Sequence, residues 1–445
     1  MPLTLPASSA RSLLQRVIGA GLRAADPAHA MLNHVHRTGH RLRVGKRSYD
    51  LRSFDRVVAV GAGKASARMA QVLERVLGPY LDSGLIVVKT GHTRPTTRLT
   101  VIEAGHPVPD RAGRNAAEQL RARVAELGPR DLLIVLLSGG ASSLIPAPVK
   151  GVSLADKQRL TQMLLRSGAT IQEINTVRKH LSTIKGGRLA QATRARIVTL
   201  MLSDVIGDEW TAIGSGPTAP DPSTYRDAIA IMRTYRIWTK APASIRRHLE
   251  RGKRGEVRET PKPGAARFRR VQHEIIGKNR TAVVAATEAA TRAGLRTILV
   301  ETPILGEASA AGRAFASLAR RLAAGREIIR RPYCLVAGGE TTVTVSGKGL
   351  GGRAQEFAAE AACELAGLQK TWIAAVGTDG TDGPTDAAGA VVSGATLTSA
   401  ERKQVDLRRA LARHNTYPAL RALNSHIVTG PTGTNVNDLY LLLAL

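Results

Sequence analysis

Cysteine is nearly missing: only Cys334 and Cys363 occur in 445 residues, each inside an apolar stretch. That excludes a disulfide framework and a cysteine-ligated zinc cluster, and it points to a reducing compartment, the cytoplasm. Aromatic residues are scarce at 3%, so the interleaving of basic and stacking side chains found in single-strand nucleic-acid readers is lacking. No uncharged apolar run is long enough for a transmembrane helix. Acid is also short: 35 Asp and Glu stand against 64 Lys and Arg, a net charge of +29. Such a surface attracts polyphosphate backbones without specificity. The arginines are spread through almost every helical stretch, so the charge reads as solvated surface, and neither a specific nucleic-acid partner nor a membrane is expected.

What is present suits a globular chain of two or three domains, taking roughly 150 residues for each. Residues 1–25 carry Arg11, Arg16 and Arg23 and no acid, the composition of a transit peptide. Leu13, Leu14, Val17, Ile18 and Leu22 recur at helical spacing and lead to Asp26 and Pro27, so an amphipathic first helix ending at a proline turn explains the same residues better. Short apolar runs at 56–60, 84–88, 100–102, 131–137 and 196–202 then alternate with helical patterns. They lack polar alternation, as strands buried on both faces of a parallel sheet do. This predicts an α/β fold: a doubly wound, Rossmann-like N-terminal domain over 1–258. Residues 246–270 hold ten Lys and Arg against three Glu, with Pro261 and Pro263, and read as a basic linker. Runs at 274–276, 297–300, 333–337, 342–345 and 372–376 predict a second α/β domain over 271–445. Its sheet is mixed, because 342–345 follows its predecessor after one tight turn.

The chemistry is concentrated where strands end. The run 56–60 leads into Gly61, Gly63, Lys64 and Ser66 before a helix, a phosphate-binding candidate in which backbone N–H groups and a lysine meet an anion, or else a plain tight turn. The pattern is neither a full Walker A nor GxGxxG. A second such turn, Ser138, Gly139, Gly140 and Ser142, follows 131–137; paired turns would face the carboxyl edge of a doubly wound sheet, where ligands bind. Lys185 and Arg188 flank Gly186 and Gly187, either as anion ligands or as exposed cations at a helix end. Asp204 and Asp208 follow the run 196–202 and suit a metal ligand, a proton acceptor or turn capping. Gly339 and Glu340 end a strand, and Arg353 opens a helix behind a glycine-rich stretch, placed for a carboxylate or phosphate. Asp379, Asp382 and Asp386, spaced by Gly and Thr, suit oxygen ligation of a hard cation. Cradles, cations and carboxylates together are the parts of phosphoryl transfer.

In this order the segments VGAGKAS (60–66), EAGHPVPD (103–110), LLSGGASSL (136–144), NTVRKHLSTIKGGRLA (175–190), LSDVIGD (202–208), GSGPT (214–218), AGGETTV (337–343), GGRAQE (351–356), GTDGTDGPTDAAGA (377–390) and GPTGTNVNDL (430–439) resemble the class II glycerate 2-kinase family, whose C-terminal part is the MOFRL domain. The resemblance implies ATP-dependent phosphorylation of D-glycerate at the 2-hydroxyl, with Mg²⁺, by a monomer or homodimer. It matches Lys64 and Arg353 to the family's catalytically important basic residues. On that footing Lys64, Arg353 and Asp204 are the catalytic candidates. Gly61, Gly63, Ser138, Gly139, Gly140, Ser142, Lys185, Gly339 and Glu340 are the nucleotide-binding candidates, and Asp208, Asp379, Asp382 and Asp386 the metal ligands. Ala354 stands where many relatives have Asn. The alternative, an NAD(P)H-dependent hydroxypyruvate reductase, is a label often given to members of this family. The first glycine turn, without a third Gly, and the strand ending at Lys89, without an acid for a ribose hydroxyl, argue against it.

Overall fold

A computed structural model describes residues 9–325 and 329–445. The chain forms two compact units, Ala30–Ile276 on one side and Gly277–Leu445 with the chain up to His29 on the other.

The Ala30–Ile276 unit opens with a small antiparallel sheet of β1 (Val35–Thr38), β2 (Arg41–Val44) and β3 (Arg47–Asp50). Its main sheet contains β4 (Arg56–Ala62), β5 (Ser83–Lys89), β6 (Leu99–Ala104), β7 (Asp131–Leu137), β8 (Arg196–Leu202) and β9 (Val271–Gly277), in the order β6-β5-β4-β7-β8-β9. The pairs β6/β5, β5/β4, β4/β7 and β7/β8 are parallel. All seven positions of β7 are buried, which is why its run DLLIVLL shows no alternation. From β4 the chain grows outward through β5 and β6, then crosses back to β7 and grows the other way. The reversal lies between β4 and β7, the place in a doubly wound sheet where ligands bind outside the carboxyl ends of the strands.

In the second unit β10 (Arg296–Glu307), β11 (Tyr333–Thr342), β12 (Thr371–Gly377), β13 (Gly389–Ser393), β14 (His426–Ile427) and β15 (Asp438–Ala444) are ordered β10-β11-β15-β12-β13-β14. Only the β10/β11 pair is parallel, so the sheet is mixed, as expected. The expected turn before 342 is not there: β11 runs through Gly338 and Gly339 without a break. A Cβ on Gly339 would lie 2.1 Å from the Ile304 carbonyl oxygen, so glycine at that position admits the neighbouring strand. The register of β10 shifts between Val300 and Ile304, around Pro303, which has no N–H to donate.

The division of the chain also differs from the expected one. The first helix forms, as Ser9–Ala24, and the Asp26 carboxylate accepts the N–H groups of Ala28 and His29 in the next helix, Pro27–His34. It packs, however, in the C-terminal unit. A Cβ on Gly21 would lie 2.8 Å from Leu439 Cδ1, and Thr434 Oγ1 donates to Ala25 O at 2.6 Å. Residues 246–270 are no linker either. They continue the helix Ala243–Lys253, whose Ile245, His248 and Leu249 are buried while its Arg247 and Arg251 are exposed. Glu259 then ties the following stretch to the unit, accepting from the Tyr225 N–H at 2.9 Å and meeting His180 Nε2 at 3.1 Å.

Candidate active site

At the reversal point the ends of β4 and β7 are level, Ala62 opposite Leu137. The two turns that follow are tied to each other. Ser138 N–H donates to Ala62 O (3.2 Å), Lys64 N–H to Gly139 O (2.9 Å), and Ala65 N–H to Ser138 Oγ (3.0 Å). Gly63 N–H donates to Val87 O at 3.0 Å, and Ser66 Oγ lies 3.2 Å from Ser138 Oγ. The backbone donors of the first turn therefore have internal partners, and Gly61 and Gly63 are packing glycines, contrary to the expected cradle. A Cβ on Gly61 would lie 2.5 Å from Leu136 O, and one on Gly63 2.1 Å from Ser138 Oγ. Ser138, fully buried, likewise serves the joint between the turns.

The second turn keeps its donors. Among the described residues no backbone carbonyl takes the N–H of Gly139 or Gly140. Gly140 has φ +87°, and a Cβ there would meet the His106 ring at 2.9 Å and Lys64 Cγ at 3.6 Å. The surroundings are cationic: Lys64 is half-buried, Lys89 ends β5, and His92 Nδ1 meets Lys64 O at 3.1 Å. Burial first, then the charges of Lys64 and Lys89, push His106 down to about 4; burial also lowers His92. The His106 imidazole, at about 4, is neutral at pH 7 and adds no charge to that of the lysines.

Ser142, next along, joins a hydroxyl chain: its Oγ lies 3.0 Å from Ser215 Oγ, which donates to Asn175 Oδ1 at 3.0 Å. Lys185 is not a phosphate ligand as expected. It is fully buried, and its Nζ donates to Ser142 O (2.8 Å) and Ile145 O (3.3 Å). Asp204 and Asp208 follow β8 and are both partly exposed; Asp208 has φ +55° in a turn closed by its N–H on Val205 O (3.0 Å).

In the C-terminal unit Arg353 lies between two carboxylates. Its Nε and Nη2 bind Asp438 at 2.8 and 3.0 Å, and its Nη1 donates to Glu340 at 2.6 Å. Burial pushes Asp438 up to about 7 against the opposing pull of Arg353, and Tyr440 OH donates to the same carboxylate at 3.1 Å. Gly339 and Glu340 thus serve strand packing and the arginine, contrary to the expected nucleotide contact.

The acidic loop does not form the expected chelate. Asp382 is buried and caps the helix Arg353–Leu365, accepting the N–H groups of Ala354 (3.1 Å) and Gln355 (2.8 Å). Gly352 at the N-cap has no side chain to do so. Asp379 accepts the Thr381 N–H at 3.1 Å, and exposed Asp386 accepts from Tyr417 OH at 2.6 Å. Among the described residues no three His, Cys, Asp or Glu side chains converge as a metal site, so the expected carboxylate cage for Mg²⁺ is not formed by them.

Residues 13–250 match the family described as a domain of unknown function (DUF4147), and residues 333–438 match the MOFRL family. Glycerate 2-kinase of Pyrococcus horikoshii is 40% identical over 97% of this chain and 96% of its own length. The chain belongs to the glycerate 2-kinase family. The solved structure of glycerate kinase from Thermotoga maritima, 38% identical, superposes with a TM-score of 0.86 over 98% of this chain and 100% of that one. A relative from Agrobacterium vitis with a provisional hydroxypyruvate reductase name is 41% identical over 98% of this chain and 94% of its own. Against the glycerate 2-kinase motifs, the reading of single residues missed His106, Asn175, Ser215 and Asp438. Each lies inside a motif string quoted above, without having been given a role of its own.

Proposed function

We propose that this chain transfers the γ-phosphoryl group of ATP to the 2-hydroxyl of D-glycerate, giving 2-phosphoglycerate. The observation that carries the reading is the Gly139–Gly140 turn, whose N–H groups stand beside Lys64 where the strand order reverses. Phosphoryl transfer spreads negative charge over the oxygens in flight, and fixed donors stabilise that charge without reorganising. The two N–H groups receive phosphate oxygens, and the Lys64 ammonium neutralises the transferring group. Asp204, partly exposed beyond β8, is assigned to accept the hydroxyl proton. Arg353, in the other unit, is held by Glu340 and Asp438 and is a separate candidate for binding an anion. A divalent ion would come with the nucleotide and would offset phosphate charge. Both cysteines are free, which fits a reducing cytoplasm, and the enzyme acts there as a monomer or homodimer.

The strand order β6-β5-β4-β7-β8-β9 is one that dinucleotide enzymes share, which gives the reductase reading its one structural support. Against it, the first turn's N–H groups are occupied and β5 ends in Lys89. One assay separates the two. D-Glycerate with MgATP is read through enolase, which consumes 2-phosphoglycerate and not the 3-isomer, and hydroxypyruvate with NADH or NADPH is read by absorbance. Signal in the first arm alone is expected; signal in the second alone overturns the kinase.

A further inference from the structure

Behind the Gly139–Gly140 turn lie two buried lysines. Lys157, on the helix Leu154–Arg166, donates its Nζ to Pro146 O and, at 3.2 Å, to Leu181 O. Lys185 donates to Ser142 O and Ile145 O. Neither has a carboxylate partner among the described residues. The charged groups facing them are each other and the largely buried Arg178. Burying adjacent amines with no acid is a costly arrangement that packing alone does not require.

What they hold explains it. Ala141–Leu144 is a single helical turn, so the carbonyls that follow have no helical partners. The stretch after it is laced to 181–183 by Thr183 N–H on Ala147 O (2.9 Å) and Val149 N–H on Leu181 O (3.3 Å). Ser143 N–H in turn donates to Gly140 O at 3.1 Å, and Ala141 N–H donates to Ser138 O at 3.3 Å, so the held carbonyls are linked step by step to the glycine turn. Each peptide unit is planar, so the Ser142 carbonyl held by Lys185 fixes the Ser143 N–H, which holds Gly140 O; the Ala141 N–H of that unit holds Ser138 O, and the Ser138 unit carries the Gly139 N–H.

We propose that Lys185 is a positioning residue that aims the Gly139 N–H through this relay, by holding the carbonyls of Ser142 and Ile145 while Lys157 backs it by holding that of Pro146. The inference rests on the reading that this turn receives nucleotide phosphate. Burial, with the nearby charges of Lys157 and Arg178, pushes the Lys185 amine well below the ordinary lysine range, which lessens the repulsion between neighbours.

Lys185→Met keeps the stem and removes the donors. Expected are a rise of about 10- to 100-fold in KM for MgATP, a kcat changed by less than about 3-fold, faster amide hydrogen exchange over 139–144, and little change in melting temperature, because the lost hydrogen bonds and the relieved burial of an amine oppose one another. A lower melting temperature with KM and loop exchange unchanged shows a merely structural clamp and overturns the proposal. Should Lys185→Met not fold, Lys157→Met decides: a raised KM supports the proposal, and an unchanged KM or a second failure to fold overturns it. If the wild-type chain phosphorylates nothing, the kinase reading has failed; the exchange of 139–144 in Lys185→Met still tests the clamp, faster exchange supporting it and unchanged exchange overturning it.

Discussion

Lys64 leaves β4 with its backbone N–H fixed on Gly139 O, so its side chain can be removed without loosening the joint between the turns. In Lys64→Ala the circular dichroism and melting temperature stay unchanged while turnover falls about 10²- to 10³-fold, the scale on which a donor to developing negative charge acts. Near-normal turnover in a folded variant removes Lys64 from the reaction. The residue was legible because a tight glycine turn does not by itself require a lysine. His106 was not: only the packed structure brings its ring against Gly140, and only burial beside two lysines pushes it to about 4. Burial alone takes His273 to about 4 as well. Both bind a proton more weakly folded than unfolded, where 6.5 is the ordinary value. Between those limits the unfolded chain holds more protons, so stability rises with pH and is lost as pH falls from about 6.5 toward 4. Urea titrations at the two ends of this window, compared between wild type and His273→Gln, measure it: the variant should show the smaller difference, and an unchanged difference clears His273.

At the scale of elements, the helix Arg353–Leu365 takes its cap from a distant loop. Asp382 meets the N–H groups of Ala354 and Gln355, and a Cβ on Gly352 would lie 2.3 Å from the Asp382 carboxyl carbon. Asp382→Ala therefore costs about 1–2 kcal/mol of stability, as the loss of a helix cap does, and leaves divalent-cation affinity unchanged. A loss of cation binding in isothermal titration, at unchanged stability, would restore the metal role. Spacing counted three carboxylates in this loop but could not show that one faced a helix end. Strands were legible where their own residues carried the signal, as in the unbroken apolar run of β7. The last strand was not: DLYLLLA lacks β-branched residues, and it becomes a central strand only by pairing with β11 and β12, both far away in sequence. β11 was split in two because Gly338 and Gly339 look like a turn, whereas their lack of side chains admits a neighbour.

At the scale of the whole molecule the division into units was the least legible feature, because it depends on a contact between the two ends of the chain. The amphipathic pattern of Ser9–Ala24 announced a buried face without saying which core would bury it. That face, Leu13, Leu14, Val17 and Ile18, is buried in the unit of Gly277–Leu445 and lies against the helix Asn279–Arg292 and β15. Four such side chains contribute on the order of 6–12 kcal/mol, comparable with the net stability of an entire domain. Removing residues 1–26 should therefore unfold or loosen the C-terminal unit and spare the parallel sheet that lies closer in sequence to the cut. Hydrogen exchange followed by mass spectrometry reads the two separately: protection in β11, β12 and β15 falls while that in β4, β7 and β8 persists. Loss confined to the parallel sheet would assign the first helix to the N-terminal unit, as sequence order alone suggested.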